Sequence, residues 1–151
     1  MTRIIGGAAG GRRLQTPRGE AARPTSDRVR ESVFNILAAR SDLDGLWVLD
    51  LYAGSGALGL EAISRGAAGA TFVDSGRRAA VTIAANVRAC GVAPNATVHT
   101  RTVSAYLAGA AERRFGLVFS DPPYDLRADR ITADLELLRS HLDDDALIAE
   151  A

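Results

Sequence analysis

The sequence contains no lysine, a single cysteine (Cys90) and no long apolar run. One cysteine cannot form an internal disulfide, and together with only two histidines (His99 and His141) it cannot build a structural zinc site. Apolar segments are short and interrupted by Gly, Arg or Asp, so none could span a membrane, and the N-terminus lacks the apolar core of a signal peptide. A cytoplasmic protein without a metal is therefore expected.

The charges balance in total but not along the chain. The 151 residues carry 18 basic and 18 acidic side chains, and the hydrophobic fraction of 47% suits one globular domain. Residues 1–40 carry eight arginines against three acids, whereas residues 121–151 carry three arginines against nine acids. A basic N-terminal stretch is typical of proteins that bind a polyanion, although a soluble tail would have the same charge.

The pattern of apolar residues predicts a doubly wound α/β domain. Residues 1–24 predict a small β-hairpin and an exposed arm, and a helix follows from Thr25 with one apolar face. That face comprises Val29, Val33, Phe34, Ile36 and Leu37. Strands predicted at 47–51, 70–74, 96–100, 115–120 and 146–151 then alternate with helices predicted at 60–65, 75–89, 103–111 and 129–142. This alternation indicates βαβ units and a parallel sheet over residues 25–151.

A glycine-rich segment, DLYAGSGALG at residues 50–59, follows the first strand of this sheet. Gly54 and Gly56 permit a tight turn against a ligand, and the helix that follows offers free N–H groups. The carboxylate of Asp50 suits a cationic sulfonium amino acid better than a pyrophosphate, and Asp74 ends the second strand where a ribose-binding acid lies in such folds. The pair predicts S-adenosylmethionine as cofactor, with S-adenosylhomocysteine as product; the alternative is a βα turn without a ligand.

A second motif, Asp121-Pro122-Pro123-Tyr124, follows the fourth strand. The two prolines fix the backbone and leave the Pro122 carbonyl as an acceptor, Asp121 adds a carboxylate acceptor, and Tyr124 adds an aromatic face. Two acceptors beside a stacking surface suit the exocyclic amine of a nucleobase, although a proline-rich turn could also simply end a strand. Because the first and fourth strands are neighbours in a doubly wound sheet, both motifs are predicted to meet in one crevice.

Four blocks of this sequence resemble the bacterial 16S ribosomal RNA guanine-N2 methyltransferases. These are RIIGG at 3–7, RPTSDRVRESVFNIL at 23–37, LDLYAGSGALGLEA at 49–62 and DPPY at 121–124, and the similarity extends over essentially the whole chain. The resemblance implies methyl transfer from S-adenosylmethionine to the N2 amine of a guanine in 16S rRNA, either free or within an assembling small ribosomal subunit. A monomer is expected.

The resemblance also assigns roles to residues. It implies that the methionine part of the cofactor lies on the loop formed by Asp50, Tyr52, Ala53, Gly54, Ser55 and Gly56. Asp74 would bind the ribose and Ser75 would lie beside the adenine; the segment 101–104 lacks the acid often found there, which leaves Val103 and Ser104 at the adenine. Asp121, Pro122, Pro123 and Tyr124 would form the catalytic loop.

Arginines of the N-terminal region would hold RNA phosphates. They are Arg3, Arg12, Arg13, Arg18, Arg23, Arg28 and Arg30. Arg28 and Arg30 are equally well interpreted as structural partners of Asp27 or Glu31.

Several alternatives remain open on the sequence. The acceptor geometry also suits an adenine-N6 methyltransferase of DNA or RNA, although such enzymes often carry Asn in place of Asp121. A cytosine-C5 enzyme needs a nucleophilic cysteine, and Cys90 lies far in sequence from the catalytic loop. A non-catalytic RNA-binding or ribosome-assembly protein could keep the same fold.

Because the sequence stops at Ala151 inside the fifth strand, the sixth and seventh strands usual in this fold are expected to be missing. Trp47 and Phe72 are predicted in the core and residues 143–145 in a solvated loop.

Overall fold

The computed structural model describes residues 2–16, 27–40, 42–123 and 125–150. Its first elements are two short antiparallel strands, β1 (Thr2–Arg3) and β2 (Arg13–Leu14), with Thr2 opposite Leu14. The predicted N-terminal hairpin is therefore confirmed. The arm that follows, including Arg18 and Arg23, lies outside the described residues.

A parallel five-stranded sheet forms the centre of the structure. Its strands are β3 (Trp47–Leu51), β4 (Gly69–Asp74), β5 (Ala96–Thr100), β6 (Phe115–Ser120) and β7 (Leu142–Glu150). Their order is β5-β4-β3-β6-β7, and every neighbouring pair is parallel. The central strands are nearly continuous apolar runs because helices cover both of their faces. The prediction of a doubly wound Rossmann-like sheet is confirmed.

In the part of the chain that the structure describes, five α-helices flank this sheet. They are α1 (Asp27–Arg40), α2 (Ala57–Ser64), α3 (Arg77–Cys90), α4 (Val103–Ala108) and α5 (Ala128–Leu138). Short 3₁₀ turns at Ala93–Asn95 and Arg139–His141 lead into β5 and β7. Among the described residues, none of the helices has the length and apolar character needed to cross a membrane.

Alternate residues of the strands enter two separate apolar cores. Val48 and Phe72 pack with residues of α1, α2 and α3 on one face. Leu49 and Val73, one position further along the same strands, pack with α4 and α5 on the other face. This period of two places Asp50 on the α2 side of β3, because it alternates with Leu49.

Four element boundaries differ from the sequence prediction by three or four residues. Helices α4 and α5 end at Ala108 and Leu138 rather than at residues 111 and 142, and α2 and β7 begin earlier than predicted. Helix α2 begins at Ala57, three residues before the predicted start, because Gly56 already serves as its N-cap. Strand β7 begins at Leu142 rather than at residue 146, so the acidic residues 143–145 lie in a strand and not in a loop. Their side chains are nevertheless exposed, and they lie at an irregularity of the ladder, because Leu142 pairs with Phe115 but the next paired residue of β7 is Leu147, opposite Leu117.

The predicted apolar face of α1 is partly wrong. Phe34 and Leu37 are buried as expected, but Val29 and Ile36 are 48% and 59% exposed. The third buried position of the helix is Arg30, four residues before Phe34, so the true buried stripe includes a charged residue that a hydrophobic pattern does not detect. Phe72 is in the core as predicted.

Trp47 is only half-buried, contrary to the expectation of a core residue. The guanidinium carbon of Arg113 lies 3.5 Å from the centre of its ring. This cation–π contact covers one face of the indole at the amino end of β3.

Candidate active site

The two sequence motifs lie side by side at the carboxyl edge of the sheet. Strand β3 pairs directly with β6, with Leu51 opposite Ser120. The loop after Leu51 and the loop after Ser120 therefore leave the sheet at the same level. The predicted meeting of the two motifs in one crevice is what the topology produces.

The glycine-rich loop is a tight turn held in left-handed backbone conformations. Gly54 and Gly56 have φ of 61° and 81°, and the Gly56 N–H donates to the Ala53 carbonyl over 2.8 Å. Tyr52 also has a positive φ, 56°, which is uncommon outside glycine and concentrates at functional loops. Ser55 is buried inside the turn. The loop's own backbone conformation and hydrogen bonding thus define its shape.

Asp74 is fixed by backbone donors on both oxygens. The Gly54 N–H donates to Oδ2 over 2.9 Å and the Gly76 N–H donates to Oδ1 over 2.8 Å. Each carboxylate oxygen keeps a further lone pair, so the half-buried group can still accept bonds from a pair of hydroxyls. Ser75, the next residue, is exposed beside it. This arrangement fits the predicted ribose contact.

Asp50 is a buried acid beneath the same loop. Its side chain is 2% exposed, and Oδ2 accepts a 3.0 Å hydrogen bond from the Gly59 N–H. The pKa of Asp50 is raised to about 8, chiefly by burial and also by the nearby carboxylates of Asp74 and Asp121, while the Gly59 N–H acts to lower it. Three acids around one crevice favour a cationic ligand.

A small cavity of about 20 Å³ opens beside this loop, between the sheet and helices α4 and α5. Three residues predicted for the site, Tyr52, Val103 and Pro122, contribute to its walls. The remaining lining residues are Leu51, Leu107, Ser120, Ile131, Asp134, Leu135 and Leu138. Burial in this region raises the pKa of the Tyr52 hydroxyl above its usual value.

Ser104 is not among the residues that line this cavity, and its predicted place beside the adenine stays a prediction. Its hydroxyl donates to Asp134 Oδ1 over 2.8 Å and accepts from Arg130 Nε over 3.0 Å. The helix that carries Ser104 starts at Val103, and Thr102 caps it by accepting from the Ala105 N–H over 3.1 Å. Ser104 is thus engaged by α5 from the start of α4.

The loop after β6 presents its acid to solvent. Asp121 is exposed, and partial desolvation raises the pKa of its carboxyl above the usual range. Pro122 is half-buried against the cavity, and the Pro123 carbonyl accepts from the Leu126 N–H over 3.0 Å, which closes the turn. Tyr124 lies outside the described residues, so its stacking role stays a prediction.

Glu61 is a structural residue that the sequence reading missed. This fully buried side chain accepts from the Ile5 N–H over 2.9 Å and from the Gly6 N–H over 3.0 Å. It also pairs with Arg30 and Arg65 at 3.2 and 2.9 Å. Burial would raise the pKa of Glu61, but these donors outweigh it and lower the pKa below its ordinary value. Glu61 thereby fastens the N-terminal hairpin to α2, the helix that the glycine-rich loop opens.

The assignment of Arg30 to RNA contact is wrong. Its side chain is 0% exposed, because it is held between Glu61 and Asp27 and also donates to the Arg3 carbonyl. A buried guanidinium paired in this way cannot reach a phosphate. The structural reading of Arg30 is therefore correct, with Glu61 rather than Glu31 as the second acidic partner.

Asn86 links the residue that follows β2 to the glycine-rich loop. Its side chain is 1% exposed; Oδ1 accepts from the Gln15 N–H over 2.8 Å, and Nδ2 donates to the Gln15 carbonyl over 3.0 Å and to the Ser55 carbonyl over 2.9 Å. A polar residue on the apolar face of α3, between Ile83 and Val87, was the signal that could have revealed it.

The other predicted RNA contacts have mixed positions. Arg3, Arg12 and Arg13 are exposed on the hairpin, and Arg28 is exposed on α1.

Within the described part of the chain, no group of three or more His, Cys, Asp or Glu residues could hold a metal ion. Cys90 is half-buried, and burial raises the pKa of its thiol, the reverse of what an activated nucleophile needs.

The fold and the site together define a Rossmann-like methyltransferase. Comparison with known proteins supports this class: a solved structure described as "Putative methyltransferase yhhF from Escherichia coli" superimposes with a TM-score of 0.85 at 40% identity, covering 99% of this chain and 80% of that chain. Residues 2–150 match the family described as Conserved hypothetical protein 95, and the chain belongs to that family.

Two curated relatives match nearly the whole chain. "Ribosomal RNA small subunit methyltransferase D" of Escherichia coli (strain K12) is 42% identical over 148 residues, which is 97% of this chain and 72% of the relative. "Putative rRNA methyltransferase YlbH" of Bacillus subtilis (strain 168) is 37% identical over 150 residues, which is 97% of this chain and 79% of the relative.

Proposed function

We propose that this protein transfers a methyl group from S-adenosylmethionine to the exocyclic N2 amine of a guanine in small-subunit ribosomal RNA. The observation that carries the proposal is the placement of Asp121 and Pro122 at the same sheet edge as the loop after Asp50. The names of two relatives support ribosomal RNA as the substrate. The assignment of the guanine N2 atom as the methyl acceptor rests on the sequence resemblance.

The crevice has the features that this cofactor requires. Asp74 presents a carboxylate already oriented by two backbone donors, which suits vicinal ribose hydroxyls. Asp50, Asp74 and Asp121 together favour the positive sulfonium and ammonium groups of the methionine part. The turn around Gly54 allows close backbone approach to the same part. When bound, the cofactor would supply a methyl group attached to a sulfonium, from which a neutral thioether is a good leaving group.

Positioning of the amine is the main task of the catalytic loop. The N2 lone pair of guanine is delocalised into the ring, so the amine is a poor nucleophile. Asp121 and the Pro122 carbonyl would each accept one of its N–H bonds and direct the lone pair at the methyl carbon. The amine would exchange one proton for the methyl group, and that proton would pass to Asp121 or to water. Such alignment can contribute about 7–11 kcal/mol to lowering the barrier.

The hairpin would hold the RNA backbone. Arg3, Arg12 and Arg13 are exposed on it, while Glu61 and Asn86 fix it against α2 and α3. We propose that residues 1–24 act as one RNA-binding unit next to the catalytic domain at 25–151. The target base would leave its stack to reach the crevice, where Tyr124 would replace the lost stacking.

The test is transfer of labelled methyl from S-adenosylmethionine to unmodified 16S rRNA, free and in assembled small subunits, followed by nucleoside analysis. N2-methylguanosine that disappears in Asp121→Ala but persists in Asp129→Ala, an exposed acid on α5, is the expected result. Methyl on adenine N6 would move the protein to the adenine-directed class. Cofactor binding absent and transfer absent would leave an RNA-binding protein.

The hairpin role has its own test. Arg12→Ala with Arg13→Ala should raise KM for RNA with little change in cofactor affinity, because these side chains contact phosphates only. Arg139→Ala, an exposed arginine at the end of α5, is the matched control. Equal KM values for the two variants would remove the hairpin from the RNA interface.

A further inference from the structure

Arg130 is an exposed arginine whose guanidinium is held in place at the start of α5. Its Nε donates to the Ser104 hydroxyl over 3.0 Å, and that hydroxyl donates to Asp134 Oδ1 over 2.8 Å. A hydroxyl has one proton, and here Asp134 takes it, so Ser104 can only accept from Arg130. The hydrogen bonds therefore run in one direction, from the exposed guanidinium to a carboxylate that is 7% exposed.

This arrangement leaves the outer end of the guanidinium for an anion. Arg130 forms no salt bridge with a described residue, whereas the neighbouring Arg127 pairs with Asp129 at 3.1 Å. With Nε bound to Ser104, the two Nη groups form the outer edge, and two parallel N–H groups match two oxygens of a phosphate. An exposed arginine usually samples many rotamers, so fixing it at Nε lowers the entropy that is lost when an anion binds.

Arg130 lies at the mouth of the crevice. Asp134, four residues further along α5, belongs to the same cavity wall as Tyr52 and Pro122. Because α5 returns antiparallel to β6, its amino end lies at the carboxyl edge of the sheet, and Arg130 is about 6 Å nearer to that edge than Asp134. Burial and the charge of Asp134 raise the pKa of the Tyr52 hydroxyl and the charge of Arg130 opposes them, so the field of Arg130 reaches the glycine-rich loop.

The acids of the crevice explain why a cation is needed at its mouth. Asp50, Asp74 and Asp121 suit a cationic cofactor, but they repel the phosphates of a nucleic acid. A base that leaves its stack to enter the crevice brings its own phosphates to this mouth. A fixed positive group beside the catalytic loop offsets the repulsion and sets the position of the strand.

We infer that Arg130 binds a backbone phosphate of the RNA next to the target nucleotide, and that Ser104 and Asp134 are the positioning residues that aim its guanidinium. The inference rests on the proposed function. It adds a phosphate contact at the crevice to those proposed for the hairpin. The carboxylate of the cofactor is the competing occupant of the guanidinium, and the test separates the two.

The test measures the affinity for unmodified 16S rRNA, free or in small subunits, between about 50 and 200 mM salt. Arg130→Ala should weaken RNA binding about 10-fold. It should also make the plot of log affinity against log salt concentration shallower by about 0.7–0.9, the contribution of one phosphate. The affinity for S-adenosylhomocysteine, measured by calorimetry, should stay the same. Arg139→Ala, an exposed arginine beyond the other end of α5, is the matched control and should change none of these quantities.

A double-mutant cycle tests the positioning residues. Ser104→Ala keeps the charge of Arg130, so it should weaken RNA binding about 3- to 10-fold without changing the salt dependence. In the Arg130→Ala background it should have no further effect, because the guanidinium that it aims is gone. Asp134→Ala should behave in the same way, and Ser104→Thr, which keeps the hydroxyl, should retain the original affinity. A merely structural role would lower the affinity equally in both backgrounds.

The outcomes distinguish this inference from the proposed function. If Arg130→Ala binds RNA like Arg139→Ala while the unsubstituted protein methylates 16S rRNA, the inference is overturned and the proposed function stands. A loss of affinity for S-adenosylhomocysteine in Arg130→Ala also overturns it, because the guanidinium then holds the cofactor. Equal effects of Ser104→Ala in both backgrounds refute the positioning role. If the unsubstituted protein binds neither RNA nor S-adenosylhomocysteine, both proposals fall.

Discussion

The buried carboxylate of Glu61 should be a large single contributor to stability. Glu61→Gln keeps the shape of the side chain but removes its negative charge. It also places an N–H₂ group, itself a donor, where the carboxylate accepts from backbone N–H groups and arginine side chains. Arg30, 0% exposed, then keeps only the partly exposed Asp27 as a counter-charge. Breaking a buried ion pair costs about 3–5 kcal/mol, and the remaining Asp27 contact places the expectation at the lower end, about 3 kcal/mol.

This loss is measurable by urea unfolding followed by circular dichroism. With a slope of about 2 kcal/mol/M, a loss of about 3 kcal/mol lowers the midpoint by about 1.5 M. Since total stability is typically about 5–15 kcal/mol, the variant should still fold. Glu31→Gln, an exposed acid on α1, is the matched control and should change the free energy of unfolding by less than about 0.5 kcal/mol. Equal midpoints for the two variants would refute the role of Glu61.

The same difference should depend on pH. The fold lowers the pKa of Glu61 from its ordinary value of 4.5, so the folded state binds the proton less tightly than the unfolded chain. Its stabilisation is therefore complete above pH 4.5 and is lost as pH falls through the lowered pKa. The difference in free energy of unfolding between the original protein and Glu61→Gln should therefore narrow as pH falls below 4.5. A difference that widens toward acid pH would contradict the lowered pKa of Glu61.

Two further predictions concern the crevice. Because the pKa of Asp50 is raised to about 8, binding of a cationic cofactor should ionise its carboxyl group. The affinity for the cofactor should therefore rise with pH up to about 8, and calorimetry in different buffers should detect proton release. Asp50→Asn should flatten this pH dependence of the affinity, and an unchanged pH profile in the variant would contradict the role of Asp50. Gly59→Ala would place a Cβ 2.5 Å from Phe72 Cε1 and should cost about 1–3 kcal/mol in urea unfolding despite the gain in helix propensity. Gly109→Ala, whose nearest contact is 3.4 Å, should be near neutral, and equal stabilities of the two variants would disprove the clash.

Much of the architecture follows from local sequence. Strands β3, β5 and β6 have the predicted bounds, because each is a short run of strand-forming residues closed by Gly, Pro or polar residues. Their alternation with helices was enough to predict the parallel sheet and the neighbouring positions of its first and fourth strands. The backbone of the crevice was therefore predictable from motifs placed at strand ends.

The boundaries of α2 and β7 were less predictable. The start of α2 depends on the left-handed conformation of Gly56 as its N-cap, and the start of β7 depends on pairing with β6. The pairing of Leu142 with Phe115 starts β7 before the polar run at residues 143–145, which lies at an irregularity of the ladder with its side chains in solvent.

What only the tertiary structure decided is the role of the charged and polar residues inside the fold. Arg30 and Glu61 meet across 31 residues of sequence, Asn86 and Gln15 across 71, and Ser104 and Asp134 across 30. A periodic pattern records the hydrophobicity of positions along one element, whereas burial of a charge depends on a partner from another element. The sequence thus determined the strands, the sheet and the two motifs, and long-range packing decided which arginines are buried in ion pairs and which acid lines the cavity.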